Sequence, residues 1–226
     1  MLEQGVRGHE HSRRAVAALE GIFLDERLLD GPQLLTVEQP FDGGDFGAFR
    51  FRPDPEIDAI DVAKLWNKRS MNRLGDLRKR HIGYVMQTGG LLPYLTVRDN
   101  MNLCRNVLGL KRDGTVEHLA AELGIANHLN KLPDALSTGE RQRVAIGRAL
   151  AHKPTIVIAD EPTASLDPYA AQKIMSHFIG LVDELNITVI LASHAWGHIK
   201  KLGLRQLHHR TVRHADTNLT ETLVSG

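Results

Sequence analysis

Two adjacent carboxylates, Asp160 and Glu161, directly follow the wholly apolar run from Thr155 to Ala159. Such a run reads as a buried parallel strand, and α/β proteins place their ligands at the carboxyl ends of those strands. Of two acids there, one can hold Mg²⁺ through its water shell and the other can orient an attacking water. A second set of chemically capable residues is Ser137-Thr-Gly-Glu140. Ser137 with Glu140 three residues on has the spacing of a capping box at a helix start. Ser137, Thr138 and Gly139 then leave backbone N–H groups at the positive end of a helix dipole, an anion site suited to phosphate. Ser193-His194 ends the next apolar run, where an imidazole can reach a phosphate or serve the structure alone.

The elements that must carry these residues can be read around them. Ile187 to Ala192 is a second apolar strand, and Asp167 caps the helix between the strands, with Pro168 at its first position. Ala171, Ile174, Phe178, Leu181, Val182 and Leu185 recur at helical spacing on one face of that helix. Strand, helix, strand at this spacing predicts a right-handed crossover in a parallel sheet, so the fold class is α/β. Upstream, Ile82 to Met86 is a further strand, and residues 91–150 are mainly helical, with one helix stopping at Gly124. Residues 64–80 are polar and basic. Residues 33–39 and 45–51 alternate around Asp42-Gly43-Gly44 as a hairpin, and Ile57 to Val62 is another short strand. Residues 12–29 are predicted as an amphipathic helix capped by Ser12, with Ala15, Val16, Leu19, Ile22 and Phe23 on one face.

Bulk properties narrow the function classes. The 226 residues suffice for one well-buried core with a small subdomain. With 28 Lys plus Arg against 27 Asp plus Glu, the formal charge is +1, without the basic excess of a protein that lives on nucleic acid. The single cysteine, Cys104, precludes an internal disulfide and fits a reducing compartment. No apolar run approaches the roughly 18 residues that span a bilayer. A cytoplasmic chain is expected, reaching any membrane through a partner. His208, His209 and His214 lie in a polar stretch and are not read as a metal site.

Taken together, Leu136-Ser-Thr-Gly-Glu140, the strand into Asp160-Glu-Pro162, Ser165-Leu-Asp167 and the strand ending in His194 resemble the ABC ATPase family in order and spacing. The resemblance covers about residues 82–200. Tyr84-Val-Met-Gln87 is similar to that family's glutamine loop. Leu91-Leu-Pro-Tyr-Leu-Thr-Val97, Leu123-Gly-Ile125 and Leu132-Pro133 resemble the branch serving lipoprotein release and macrolide export. The resemblance implies an ABC-type nucleotide-binding domain with a RecA-like core and a helical subdomain. It divides the chain into an atypical N-terminal region (1–62), a core segment with the glutamine loop (63–90), a helical subdomain (91–150) and a core segment with the remaining motifs (151–226). It makes Asp160 a water-mediated Mg²⁺ ligand, with Gln87 linking metal, water and membrane partner. Glu161 becomes the catalytic base and His194 a γ-phosphate contact. Ser137, Thr138 and Gly139 clasp an ATP held by the opposite subunit of a head-to-tail dimer, and Asp167 bridges the two sites.

One part of the family pattern does not occur in these residues. The phosphate-binding loop, Gly-x-x-x-x-Gly-Lys-Ser/Thr, is matched nowhere, and Arg52-Pro-Asp-Pro55 follows the strand that would lead into it. Asn67-Lys-Arg-Ser70 lacks the glycines and stands too close to Gln87. An aromatic residue to stack on adenine is not identifiable either. Two expectations follow: a half-enzyme that lends its signature to an intact loop on a second ATPase beside a transmembrane permease, or a pseudo-ATPase acting as a structural or regulatory module, as a homodimer if it pairs with itself. A chromosome-maintenance type ATPase would carry long heptad repeats, and none is present.

Overall fold

The structure is a computed structural model that describes residues 49–54, 56, 58–193 and 204. It also describes the backbone of short strands at Ala15–Ala17 (β1), Ile22–Leu24 (β2), Leu35–Val37 (β3), Arg205–Arg213 (β9) and Thr220–Ser225 (β10). The central unit is a parallel sheet of Ile82–Val85 (β6), Ile156–Asp160 (β7) and Thr188–Ala192 (β8), in the order β6-β7-β8. The predicted strand–helix–strand is present: Pro168–Glu184 (α6) joins β7 to β8. Asp167 Oδ1 accepts from the N–H groups of Tyr169 and Ala170 at 3.1 and 3.0 Å, so the helix begins where cap and proline predict. Ala171, Ile174, Phe178, Leu181 and Val182 are buried as their spacing requires.

The helical segment consists of Val97–Val107 (α3), Thr115–Glu122 (α4) and Thr138–Leu150 (α5). Gly124 ends α4 at φ 65°: its N–H donates to Ala121 O and that of Ile125 to Ala120 O, the paired bonds of a Schellman stop. Val97, Met101, Leu119, Leu123, Val144, Ile146 and Leu150 join the sheet residues Val85, Val157, Val189 and Leu191 in one buried cluster. Arg105, itself buried, donates to Ala151 O and Lys111 O at 2.9 and 2.6 Å and pairs with Asp113, locking α3 to the end of α5. Where β6 passes α5, a side chain on Gly83 would meet Ala149 O at 2.4 Å, so glycine alone permits the approach.

The first third departs from expectation in several places. The helix predicted over 12–29 is corrected, because β1 and β2 are strands paired antiparallel with each other. Both also pair with β9, whose residues lie nearly the whole chain away. A local apolar pattern yields here to distant backbone partners, and Gly21 already weakens a helix. The hairpin pairing is seen, with Leu35 opposite Phe51 and Val37 opposite Phe49 in Phe49–Phe51 (β4). Its turn lies outside the described residues. The following strand is shorter than predicted, only Ile60–Asp61 (β5), because Asp61 caps a helix opening at Val62. Residues 64–80, read only as polar and basic, form that helix, Val62–Asn67 (α1), and Met71–His81 (α2). Among the described residues, no helix is long and apolar enough to cross a membrane.

His152, between α5 and β7, is 6% exposed, and both ring nitrogens are cut off from solvent. Burial lowers its pKa, and Arg105 and His81 lower it further against a raising contact with the Ile82 backbone. The unfolded chain therefore takes up a proton below about pH 6.5 that the folded chain refuses, so stability falls as pH drops through that value. Thermal unfolding at pH 5.5 and 7.5 checks this: the melting temperature is expected to be lower at pH 5.5, and His152→Leu to shrink the difference. His81, whose pKa burial also lowers, accounts for a remaining slope.

Candidate functional site

The three parallel strands end in register. Val85 pairs with Ala159 and Asp160 with Ala192, so Gln87, Glu161 and Ser193 emerge together beyond the strand ends. Asp160 and Glu161 are half-buried. Glu161 sits at φ 42°, a left-handed conformation that costs a non-glycine residue about 1–3 kcal/mol. Its N–H donates to Ala192 O at 2.8 Å, and its carbonyl accepts from Ala164 N–H at 3.2 Å. The Ser193 hydroxyl donates to Glu161 Oε2 at 3.4 Å. Glu161 is thus tied to the end of β8 through both its backbone and its carboxylate.

Gln87 is exposed in a turn closed by the Gly89 N–H donating to Met86 O at 2.9 Å. Gly89 and Gly90 both have positive φ, 73° and 55°. Sequence reasoning missed what fixes this turn. Arg148 of α5, nine-tenths buried, donates to Gly89 O at 2.7 Å and to Gly90 O at 2.8 Å, and Gln142 donates to Met86 O at 3.3 Å. The available signal was a polar pair, Gln142 and Arg148, inside the otherwise apolar core-facing stretch of α5.

At the start of α5 the capping box is complete. Glu140 N–H donates to Ser137 Oγ at 3.3 Å, and Ser137 N–H and Oγ–H both donate to Glu140 Oε2 at 2.7 Å. Those bonds, from the Ser137 side chain first and its backbone second, hold the Glu140 carboxyl below its ordinary value. The expectation of three free N–H groups is corrected in one respect: Ser137 spends its own on Glu140, leaving those of Thr138 and Gly139 without a protein acceptor among the described residues. Arg141 braces the turn by donating to Leu136 O at 2.6 Å and to Thr138 Oγ1 at 3.2 Å. Gly139 lies against Leu166 and Ile174, which brings the Ser137–Gly139 turn beside the Leu166–Asp167 turn. Asp167 is exposed, its Oδ1 engaged as the α6 cap. His194, with His208, His209 and His214, has no described side chain, so its predicted contact lies outside the described residues.

The site thus has two parts: an oxygen-rich sheet edge (Asp160, Glu161, Gln87) and an open pair of amides at a helix start. The donors at the edge are hard oxygens of the kind Mg²⁺ prefers. Among the described residues no three His, Cys, Asp or Glu side chains gather closely enough to hold a metal by themselves. The set suits a Mg²⁺ that brings phosphate oxygens with it.

Comparison with known proteins agrees with that chemistry. Residues 55–164 match the family described as ABC transporter. The chain is 39% identical over 121 residues to the lipoprotein-releasing system ATP-binding protein LolD of Rhodopseudomonas palustris, covering 52% of each chain. It is 32% identical over 185 residues to the molybdenum import ATP-binding protein ModC of Paramagnetospirillum magneticum, covering 79% of this chain and 51% of that one. The bacitracin export ATP-binding protein BceA of Halalkalibacterium halodurans is 32% identical over 142 residues, covering 62% and 54%. The solved dimer of the ATP-binding cassette MJ0796, bound to ADP and Pi, superposes with a TM-score of 0.54 at 27% identity, covering 69% of this chain and 66% of that one. The chain spans about half the length of the curated relatives it matches. It has the ABC ATPase fold, and its residues 55–164 are similar in sequence to the ABC transporter family.

Proposed function

We propose that this chain is a nucleotide-binding-domain subunit of an ABC transporter-type complex, holding ATP poorly alone and lending its signature turn to a composite site on a partner ATPase. The observation that carries this is the complete, braced Ser137–Gly139 turn in a sequence with no Gly-x-x-x-x-Gly-Lys-Ser/Thr. Two open amides at a helix N-terminus suit a phosphate supplied from outside the chain. In this reading Ser137, Thr138 and Gly139 bind the partner's γ-phosphate, Asp167 bridges to the partner, and Asp160 and Gln87 suit a water-mediated Mg²⁺. Glu161 orients water and His194 contacts phosphate wherever nucleotide is presented to this chain's own edge. The partners are a transmembrane permease and a second, loop-bearing ATPase, with the chain peripheral on the cytoplasmic face. The relatives' roles in lipoprotein release, bacitracin export and molybdenum import support a transport setting without choosing a substrate.

Steady-state hydrolysis tests the reading, using this chain mixed with a loop-bearing ABC ATPase subunit encoded beside it. Turnover above that of the partner alone is expected, and Ser137→Ala should lower the gain about tenfold to a hundredfold, the worth of one or two charge-assisted hydrogen bonds. A mixture no more active than the partner alone would sink the half-enzyme reading. The pseudo-ATPase reading would then stand, favoured by the same missing motif, because a homodimer of this chain contains no complete loop.

A further inference from the structure

Residues 64–81 carry seven cations, Lys64, Lys68, Arg69, Arg73, Arg78, Lys79 and Arg80, against the single acid Asp76, in a chain whose overall charge is +1. Helix α2 has no buried residue. Its stripe Arg73, Asp76, Leu77, Arg80 and His81, at helical spacing, faces Ile60 and Leu65 across a cleft of about 150 Å³. Asp76 spends its charge on Lys79, 2.5 Å away. Arg80 acts on Asp76 and His81 only through its field, and neither Arg73 nor Arg80 has a hydrogen-bonding or salt-bridge partner among the described residues. The back wall is fixed: His81 Nδ1 and Thr155 Oγ1 are hydrogen-bonded at 3.0 Å, and the Phe51 ring meets the imidazole edge-on with centroids 5.7 Å apart.

We propose that this cleft binds a phosphate-bearing ligand with a short carbon moiety. Two unpaired guanidiniums about two helical turns apart on one face present planar forks that match phosphate oxygens. Ile60, Leu65 and Leu77 supply the apolar floor for the carbon part. A wall already held by Thr155 and Phe51 spares the ligand the cost of ordering it. His81 precedes β6 and Thr155 precedes β7, so the cleft lies at the amino edge of the sheet, opposite Gln87, Asp160 and Glu161. It is a second site, independent of the proposed ATP chemistry. The same head-group chemistry is available from a free organophosphate or from an anionic phospholipid surface.

Two titrations of the full chain distinguish these sources: glycerol 3-phosphate by calorimetry, and vesicles of phosphatidylglycerol in phosphatidylcholine by co-sedimentation, with pure phosphatidylcholine as blank. Saturable binding of glycerol 3-phosphate assigns a free organophosphate, and binding only to the anionic vesicles assigns a membrane head group. In either case R73Q/R80Q is expected to weaken binding at least tenfold at unchanged melting temperature, while K111Q/R112Q, which removes equal charge from exposed residues elsewhere, leaves it within twofold. The assignment is overturned if neither probe binds, or if the two double variants weaken binding equally.

Discussion

Mg-ATP titrated into the 226-residue chain alone is expected to bind about ten-thousandfold more weakly than to an ABC ATPase carrying the phosphate-binding loop. That loop supplies backbone N–H groups, a lysine charge and a Mg²⁺-binding hydroxyl. At about 1.5–3 kcal/mol for each charge-assisted bond, losing three removes on the order of 6 kcal/mol, and each 1.4 kcal/mol is a factor of ten. The described residues ahead of β6 offer no replacement. The helix that follows β5 starts with the chain's own anion: Asp61 Oδ1 accepts from Lys64 N–H at 2.8 Å, taking one of the donors a phosphate would need and placing a carboxylate where the phosphate would sit. The next helix begins after Lys68-Arg69-Ser70, a turn with Arg69 at φ 50° and no glycine. Calorimetry at physiological Mg²⁺, run beside a loop-bearing relative, checks the expectation. Saturable micromolar binding by the lone chain would mean that another segment cradles the phosphates, and the half-enzyme argument would lose its premise.

What was legible in the sequence was whatever is dictated locally. The run Thr155 to Ala159 has nowhere to go but a buried strand, and the caps at Ser137 and Asp167 are satisfied within three residues of themselves, so spacing alone announces them. Gly124 ends its helix for an equally local reason. The rest depended on partners far along the chain. Ala15–Ala17 and Ile22–Leu24 become strands through pairing with residues 205–207. Glu161 takes a positive φ because Ala192 receives its N–H, and β7 composition carries no trace of that bond. The α1–α2 pair escaped because α2 has no buried face to leave an apolar period.

The largest single loss of stability is expected from Arg148→Met. Arg148 is 8% exposed, and its guanidinium spans the carbonyls of Gly89 and Gly90 with bonds of 2.7 and 2.8 Å. Burial lowers its pKa, so holding the charge there already costs something that the two bonds must offset. Methionine fills much of the same space but leaves both carbonyls without a donor, at about 1.5–3 kcal/mol each. A loss of about 3–6 kcal/mol follows, a large share of the 5–15 kcal/mol by which a domain of this kind is stable. Arg148→Lys should fall between, because an ammonium has no planar fork to meet both acceptors at once. Urea unfolding measures the loss, and a deficit under 1 kcal/mol in the methionine variant would show that the turn holds itself. Hydrogen exchange separates a global effect from a local one: the Gly89 amide, bonded to Met86 O, should exchange faster in Arg148→Lys than any amide of α6. Gln87, which we propose links the sheet edge to a membrane partner, lies in the same turn, and that turn is held by a cation on the helix that carries Ser137 at its other end. The Ser137 turn and the Gln87 turn are therefore both braced by α5, one at its start through Arg141 and the other near its end through Arg148.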